Sequence, residues 1–176
     1  MQSQPALEFL LPHLDDAWQR VQDWLAGLSE AEFQWQPGDN VWHLEEHDGY
    51  GRIPYSWKPP VPAPLPTIAW HMAHLATSLV ITVDHAFGER KLKLADLRLP
   101  LHAAEMADYL ADCHSGLVKA VAGLSDADLP QLRWTEWGEQ RTTAAIVGSA
   151  ILHEVEHGAQ ITAVRTLYWR WPREEK

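Results

Sequence analysis

Cysteine is nearly absent. Cys113 is the only one in 176 residues, which excludes an intrachain disulfide framework and agrees with a reducing compartment. Positive charge is scarce too: 14 Lys and Arg stand against 24 Asp and Glu, for a formal net charge of -10. Nucleic-acid binding needs clustered cations to displace phosphate counterions, so no nucleic-acid partner is expected. Long apolar runs are missing. Ala144–Gly148 is among the longest, far below the ~18 residues of a membrane helix, so no membrane partner is expected. The first residues, Met1 to Ala6, carry neither a basic region nor an apolar core of a secretion signal, and a cytoplasmic location is expected. No glycine-rich phosphate loop and no Gly-x-Ser-x-Gly elbow occurs. No segment alternates at period two beside turn signals, so a sheet is not expected.

What is present reads as one globular domain over residues 1–176. The hydrophobic fraction is 46% and the charged fraction 22%, near globular averages, and a chain of this length buries about 70% of its unfolded surface without covalent staples. Helical periodicity runs over residues 5–28, where Leu7, Leu10, Leu11, Leu14, Trp18, Val21, Trp24, Leu25 and Leu28 recur at three- and four-residue steps. Ser29-Glu30-Ala31-Glu32 then has capping-box spacing and predicts a short turn of helix. Residues 36–66 lose all periodicity and hold nine of their breakers as prolines and glycines from Pro37 to Pro64, ending at Pro66. They predict a long ordered loop whose aromatics (Trp42, Tyr50, Tyr55, Trp57) pack down on the body.

A second helix is predicted over 67–87 with Gly88 as its cap, a third over 101–121, and a fourth from Thr142 or Thr143 to about Tyr168, limited by Pro172. Residues 124–141 read as a connection. The expected fold is therefore all-α, a four-helix bundle with a long Pro-rich loop between its first and second helices. Leu28-Ser29-Glu30-Ala31-Glu32-Phe33 recurs as Leu124-Ser125-Asp126-Ala127-Asp128-Leu129, which admits two readings: two helix–turn–helix halves, or a chance match of short capping sequences.

Ten histidines direct attention to metal chemistry, since imidazole is the commonest metal ligand. His153-Glu154-Val155-Glu156-His157 lies in the fourth helix. Four residues advance about 400°, leaving the two imidazoles ~40° apart and one turn along, a spacing that grips one ion. Helix two offers a third ligand in His71 or His74. The same string matches the zincin protease pattern, but position 160 is Gln and position 163 is Ala, where the extended signature needs Gly and His. His43 and His47 share the four-residue spacing without a helix to give it meaning. His13, His85, His102 and His114 read as solvated histidines, and adjacent Cys113 and His114 cannot form a nucleophile–base contact. Glu154, about 100° from His153, reads as surface or as support for the ligands. Gln160 returns to the ligand face, where it would orient a substrate or a ligand imidazole.

Three stretches resemble the DinB/YfiT-like superfamily of small four-helix metal-binding proteins: Gly27 through Pro37, Thr67-Ile68-Ala69-Trp70-His71-Met72-Ala73-His74-Leu75, and His153 through Ile161. The resemblance implies metal ligands His74, His153 and His157; His71, Glu154 and Gln160 are the candidate supporting residues around them. It implies a divalent ion, zinc or nickel, and a branch related to mycothiol- and bacillithiol-dependent transferases. The implied function is a thiol-dependent S-transferase or hydrolase of a small-molecule substrate, with a low-molecular-weight thiol as co-substrate. The alternative is a non-catalytic metal-binding stress or interaction module. A homodimer is common among relatives.

Overall fold

The computed structural model describes residues 4–171. Helix α1 (Pro5–Leu25) opens with proline at its first position, where the missing N–H costs nothing. It ends before Leu28, because Ala26 leaves the helical region and Gly27 adopts φ +66. The one-turn α2 (Glu30–Phe33) carries the predicted capping box: the Ser29 amide and hydroxyl donate to Glu32 Oε2 at 2.9 and 2.8 Å, and the Glu32 amide donates to Ser29 Oγ. The second copy of the motif repeats the Ser-to-carboxylate half of this arrangement, its Asp128 amide donating to the Ser125 carbonyl. Ser125 N and Oγ donate to Asp128 Oδ2 at 2.8 and 2.7 Å, opening a 3-10 turn at Asp126–Asp128.

The remaining long helices are α3 (Ile68–Phe87), α4 (Ala103–Ala122) and α5 (Thr143–Arg170). Thr67 Oγ1 accepts from the Trp70 amide and Thr142 Oγ1 from the Ala145 amide, so two side-chain caps set the starts of α3 and α5. The α3 helix packs on α4 and α5, and α1 packs on α5 and α4. Leu14, Val21, Leu75, Leu79, Leu110, Leu117 and Val147 fill one end of the core. Phe33, Ile68, Met72, Met106 and Ile161 fill the other, continuing under the long connection through Leu44, Ile53 and Leu99. The Pro172 limit lies outside the described residues. No helix among the described residues is long and apolar enough to cross a membrane.

The expectation of no extended structure needs correction in detail. Six strands of two or three residues form three two-stranded ribbons: β1 (Val41–Trp42) parallel to β4 (Leu65–Pro66), β2 (Glu45–His47) antiparallel to β3 (Tyr50–Arg52), and β5 (Leu132–Trp134) antiparallel to β6 (Gln140–Thr142). Strands this short show no period-two pattern. The β2–β3 turn places Asp48 at φ 52 and Gly49 at φ 81, the two left-handed positions of a tight hairpin. It also explains the isolated His43 and His47 pair, since His47 sits on exposed β2 beside Glu45 rather than on a helix.

One polar clamp ties the ends of α1 and α5. Arg165 Nε donates to Glu32 Oε1 at 3.0 Å, and its Nη1 donates to the carbonyls of Trp24 and Ala26 at 2.6 and 3.1 Å. These carbonyls belong to the C-terminal end of α1, which has no basic residue of its own, so α5 supplies the cation that such an end favours.

Candidate metal centre

The imidazole of His74 is fixed by aromatic rings before any ligand is considered. It stacks on Trp70 at 4.7 Å between centroids and on Tyr55 at 5.2 Å. Trp70 is held in turn by its Nε1, which donates to the Pro54 carbonyl at 2.7 Å, and by stacking on Trp42. Of the aromatics of the long connection, Trp42 and Tyr55 thus pack onto α3. Tyr50 and Trp57 differ: Tyr50 lies exposed under the guanidinium of Arg98, and Trp57, exposed as well, approaches Trp137 of the β5–β6 hairpin.

Across from α3, one turn of α5 presents His153 and His157. His153 Nε2 lies 3.2 Å from His74 Nε2, and one ring nitrogen each of His74, His153 and His157 lie within 4.8 Å of one another. Three nitrogens bound tetrahedrally at about 2.1 Å from a zinc ion stand roughly 3.4 Å apart, so the His74–His153 separation already suits a shared ion. The two candidates on helix two are placed differently. His74 joins the cluster, while His71 stands behind it with Nδ1 3.0 Å from His157 Nδ1. If His157 offers Nε2 to the centre, its Nδ1–H donates to His71, the arrangement that fixes tautomer and ring orientation in metal sites.

Burial keeps all four rings neutral. It pushes His71 and His153 down to about 4, and burial together with neighbouring imidazoles pushes His74 to about 3 and His157 to about 2. Neutral imidazole is the form that binds metal, so the donor set stands ready at pH 7. The chemistry of the set, three neutral nitrogens on two rigid helices, fits a divalent ion with positions left for a guest.

Other expected residues are placed differently. Glu154 is fully buried, with Oε1 accepting from His114 Nδ1 at 2.7 Å rather than from a ligand ring. Burial raises its carboxyl pKa, with His114 opposing. His114 is not solvated: it is buried and stacks on Trp18 at 4.4 Å. The signal was available, because Leu110 and Leu117 on the same face of α4 are both fully buried. His85 is only partly exposed and donates to the Leu92 carbonyl, whereas His13 and His102 are exposed as expected. Gln160 Oε1 is buried without a hydrogen-bond partner, so it orients no ligand imidazole here.

A cavity of about 190 Å³ reaches His74 and His153, walled by Tyr55 and Trp57 from the long connection and by Trp134 and Trp137 from the β5–β6 hairpin. An adjoining space of about 410 Å³ reaches His74 from the side of His85 and Lys93. The sequence marks this hairpin, with Glu136 and Arg141, only as a connection.

No curated protein matches the chain in sequence. Solved structures share its fold. A DinB-like protein from Bacillus cereus is 16% identical with a TM-score of 0.62, covering 96% of this chain and 97% of its own. A DinB-family candidate from Exiguobacterium sibiricum is 15% identical with a TM-score of 0.62 and 99% coverage of both chains. A conserved protein from Enterococcus faecalis is 16% identical with a TM-score of 0.60, covering 91% of this chain and 95% of its own. The family model described as the DinB superfamily matches residues 13–161, and the chain belongs to that superfamily.

Proposed function

We propose that this chain is a metal-dependent enzyme acting on a small molecule, either a thiol-dependent S-transferase or a hydrolase. In this reading the four long helices act as one bundle, and His74, His153 and His157 hold zinc or nickel. The observation that carries the reading is the cavity: two of the three clustered imidazoles, His74 and His153, form part of its wall. A structural ion is closed by four protein ligands, whereas three ligands facing open space are the pattern of a catalytic one.

A divalent ion in such a place supplies an ionised thiol, or an activated water, at neutral pH. The protein's own residues do the rest. Trp70 and Tyr55 fix the plane of His74, and His71 fixes the ring of His157. Trp57 and Trp137, 5.9 Å apart between centroids, approach one another over the cavity and limit the water that enters.

The test is metal content followed by turnover. Purified protein should bind one equivalent of zinc or nickel and lose it in His153→Ala, with the fold retained by circular dichroism. The loaded protein should consume an electrophile with a low-molecular-weight thiol, or hydrolyse an ester or amide. Metal binding with neither activity would establish the non-catalytic module instead, and failure to bind metal would remove both readings.

A further inference from the structure

The smaller cavity has walls and a rim that select a particular guest. Its volume is about 190 Å³, and an apolar cavity of about 150 Å³ holds a benzene molecule. One ring with one or two substituents therefore fills it, and a fused bicycle does not. Trp57, Trp134 and Trp137 supply flat faces, and Ile146 and Ala150 supply the aliphatic side. Three indoles around a space of this size favour a π-faced guest over an aliphatic one of equal volume.

The rim carries Arg141. In β6 it stands opposite Arg133, and the two differ in how they are satisfied. Arg133 donates to Thr143 Oγ1 at 2.8 Å and to the Ala86 carbonyl, and lies against Phe87. Arg141 makes no ion pair among the described residues. Its polar contact is a 3.5 Å approach to Ser149 Oγ, longer than a good hydrogen bond. A free guanidinium at a cavity mouth, in a chain of net charge -10, is a fork suited to a carboxylate. Glu136, exposed at the hairpin tip, also borders the cavity, so the anion must seat on the Ser149 side. Ser149 and His153 are one helical turn apart, about 6 Å along α5. A single ring with groups at opposite ends bridges that distance, one end at Arg141 and the other toward the imidazole cluster.

We infer that this cavity binds a one-ring aromatic carboxylate, with the ring among the three indoles and the carboxylate on Arg141. The inference rests on the enzyme reading for its meaning as a substrate site, but the binding stands or fails separately. The probe is benzoate, compared with neutral benzamide and with non-aromatic cyclohexanecarboxylate, by tryptophan fluorescence and calorimetry on the full chain with and without zinc.

Benzoate should bind about tenfold or more tightly than either comparison compound. Arg141→Gln should remove the advantage over benzamide, and Ala150→Phe should abolish binding of all three with metal content unchanged. Arg141 is exposed and weakly bonded, so its variant keeps the fold. Equal affinity for benzoate and benzamide would overturn the inference. So would benzoate binding that survives Arg141→Gln and disappears only when zinc is removed, since the carboxylate would then sit on the metal. Benzoate binding in a protein without turnover supports the site while sinking the enzyme reading. Turnover of aliphatic substrates without benzoate binding does the reverse.

Discussion

Two glycines on α5 should respond to the same substitution with opposite signs. A Cβ at Gly158 would lie 1.9 and 2.0 Å from Cε3 and Cζ3 of Trp24, whereas a Cβ at Gly148 meets nothing within 4 Å. Glycine to alanine inside a helix gains about 1 kcal/mol from reduced backbone freedom. At Gly148 that gain is uncontested. At Gly158 the indole must retreat by roughly 2 Å to reach normal carbon–carbon contact, and its freedom to do so is restricted. Trp24 packs against the core, and its carbonyl is held by Arg165 at 2.6 Å. Forced overpacking costs about 1–3 kcal/mol, and an indole swung outward forfeits burial as well. The expected outcome is a net loss of about 1–2 kcal/mol for Gly158→Ala, a few degrees in Tm for a chain of this size, against a gain of up to about 1 kcal/mol for Gly148→Ala. Urea unfolding of the metal-free variants reads both. Gly158 follows His157 directly, so Gly158→Ala should also weaken zinc binding while Gly148→Ala leaves it unchanged. A Gly158→Ala variant as stable as the parent would refute the argument that Trp24 sets the α1–α5 distance.

His71→Phe keeps the three expected ligands but removes the acceptor behind His157; zinc affinity should fall about 10- to 100-fold, as for other outer partners of metal-bound imidazoles, measured by competition with a chromophoric chelator. Arg165→Met leaves the buried Glu32 carboxylate without its cation, held by Ser29 alone, and uncaps α1, so stability should fall by about 3 kcal/mol on chemical denaturation, and a change below 1 kcal/mol would contradict the clamp. Acid should weaken the metal-free protein over a defined window. His71 and His153 are held down to about 4 by burial, whereas an unfolded histidine titrates near 6.5. Between those values the unfolded chain takes up protons that the folded one refuses, so stability is complete above pH ~6.5 and declines toward pH 4; a urea midpoint as high at pH 5 as at pH 7.5 would refute it.

The parts of this molecule that could be read from the sequence are those with a long repeat or a local chemical signature. The apolar stripe of α1, the capping box at Ser29 and the helix starts near Thr67 and Thr142 depend on residues within a few positions of one another, and the structure reproduces them. The two histidines of α5 were visible because helix geometry alone brings them to one face. His71 and His74 could not be ranked by residue geometry alone, since both lie inward on α3 and only the approach of α5 decides which ring meets His153. The β5–β6 hairpin escaped notice because strands of three residues carry no period. Arg165 gave no sign, as its partners Glu32, Trp24 and Ala26 are more than a hundred residues away. His114 has a polar residue type that predicts exposure, but it sits on the buried face of α4, and the face decides.

The orientation of α5 rests on contacts made on three sides of the helix. Successive residues turn by about 100°, and between positions 153 and 158 they meet three different helices. His153 reaches His74 on α3, Glu154 reaches His114 on α4, and Gly158 admits Trp24 of α1. Rotating α5 to improve any one of these contacts breaks the other two, so the helix has a single register. The ring planes are set separately, by Trp70 and Tyr55 for His74 and by His71 for His157. The imidazoles are therefore brought together and kept neutral by the folding of the chain itself. An ion entering such a cluster has little left to organise, which is the condition under which binding free energy goes into affinity rather than into ordering the protein. Under the proposed metal reading, the determinants of affinity would lie largely in residues that never touch the ion, beyond what the ligand motif alone contains.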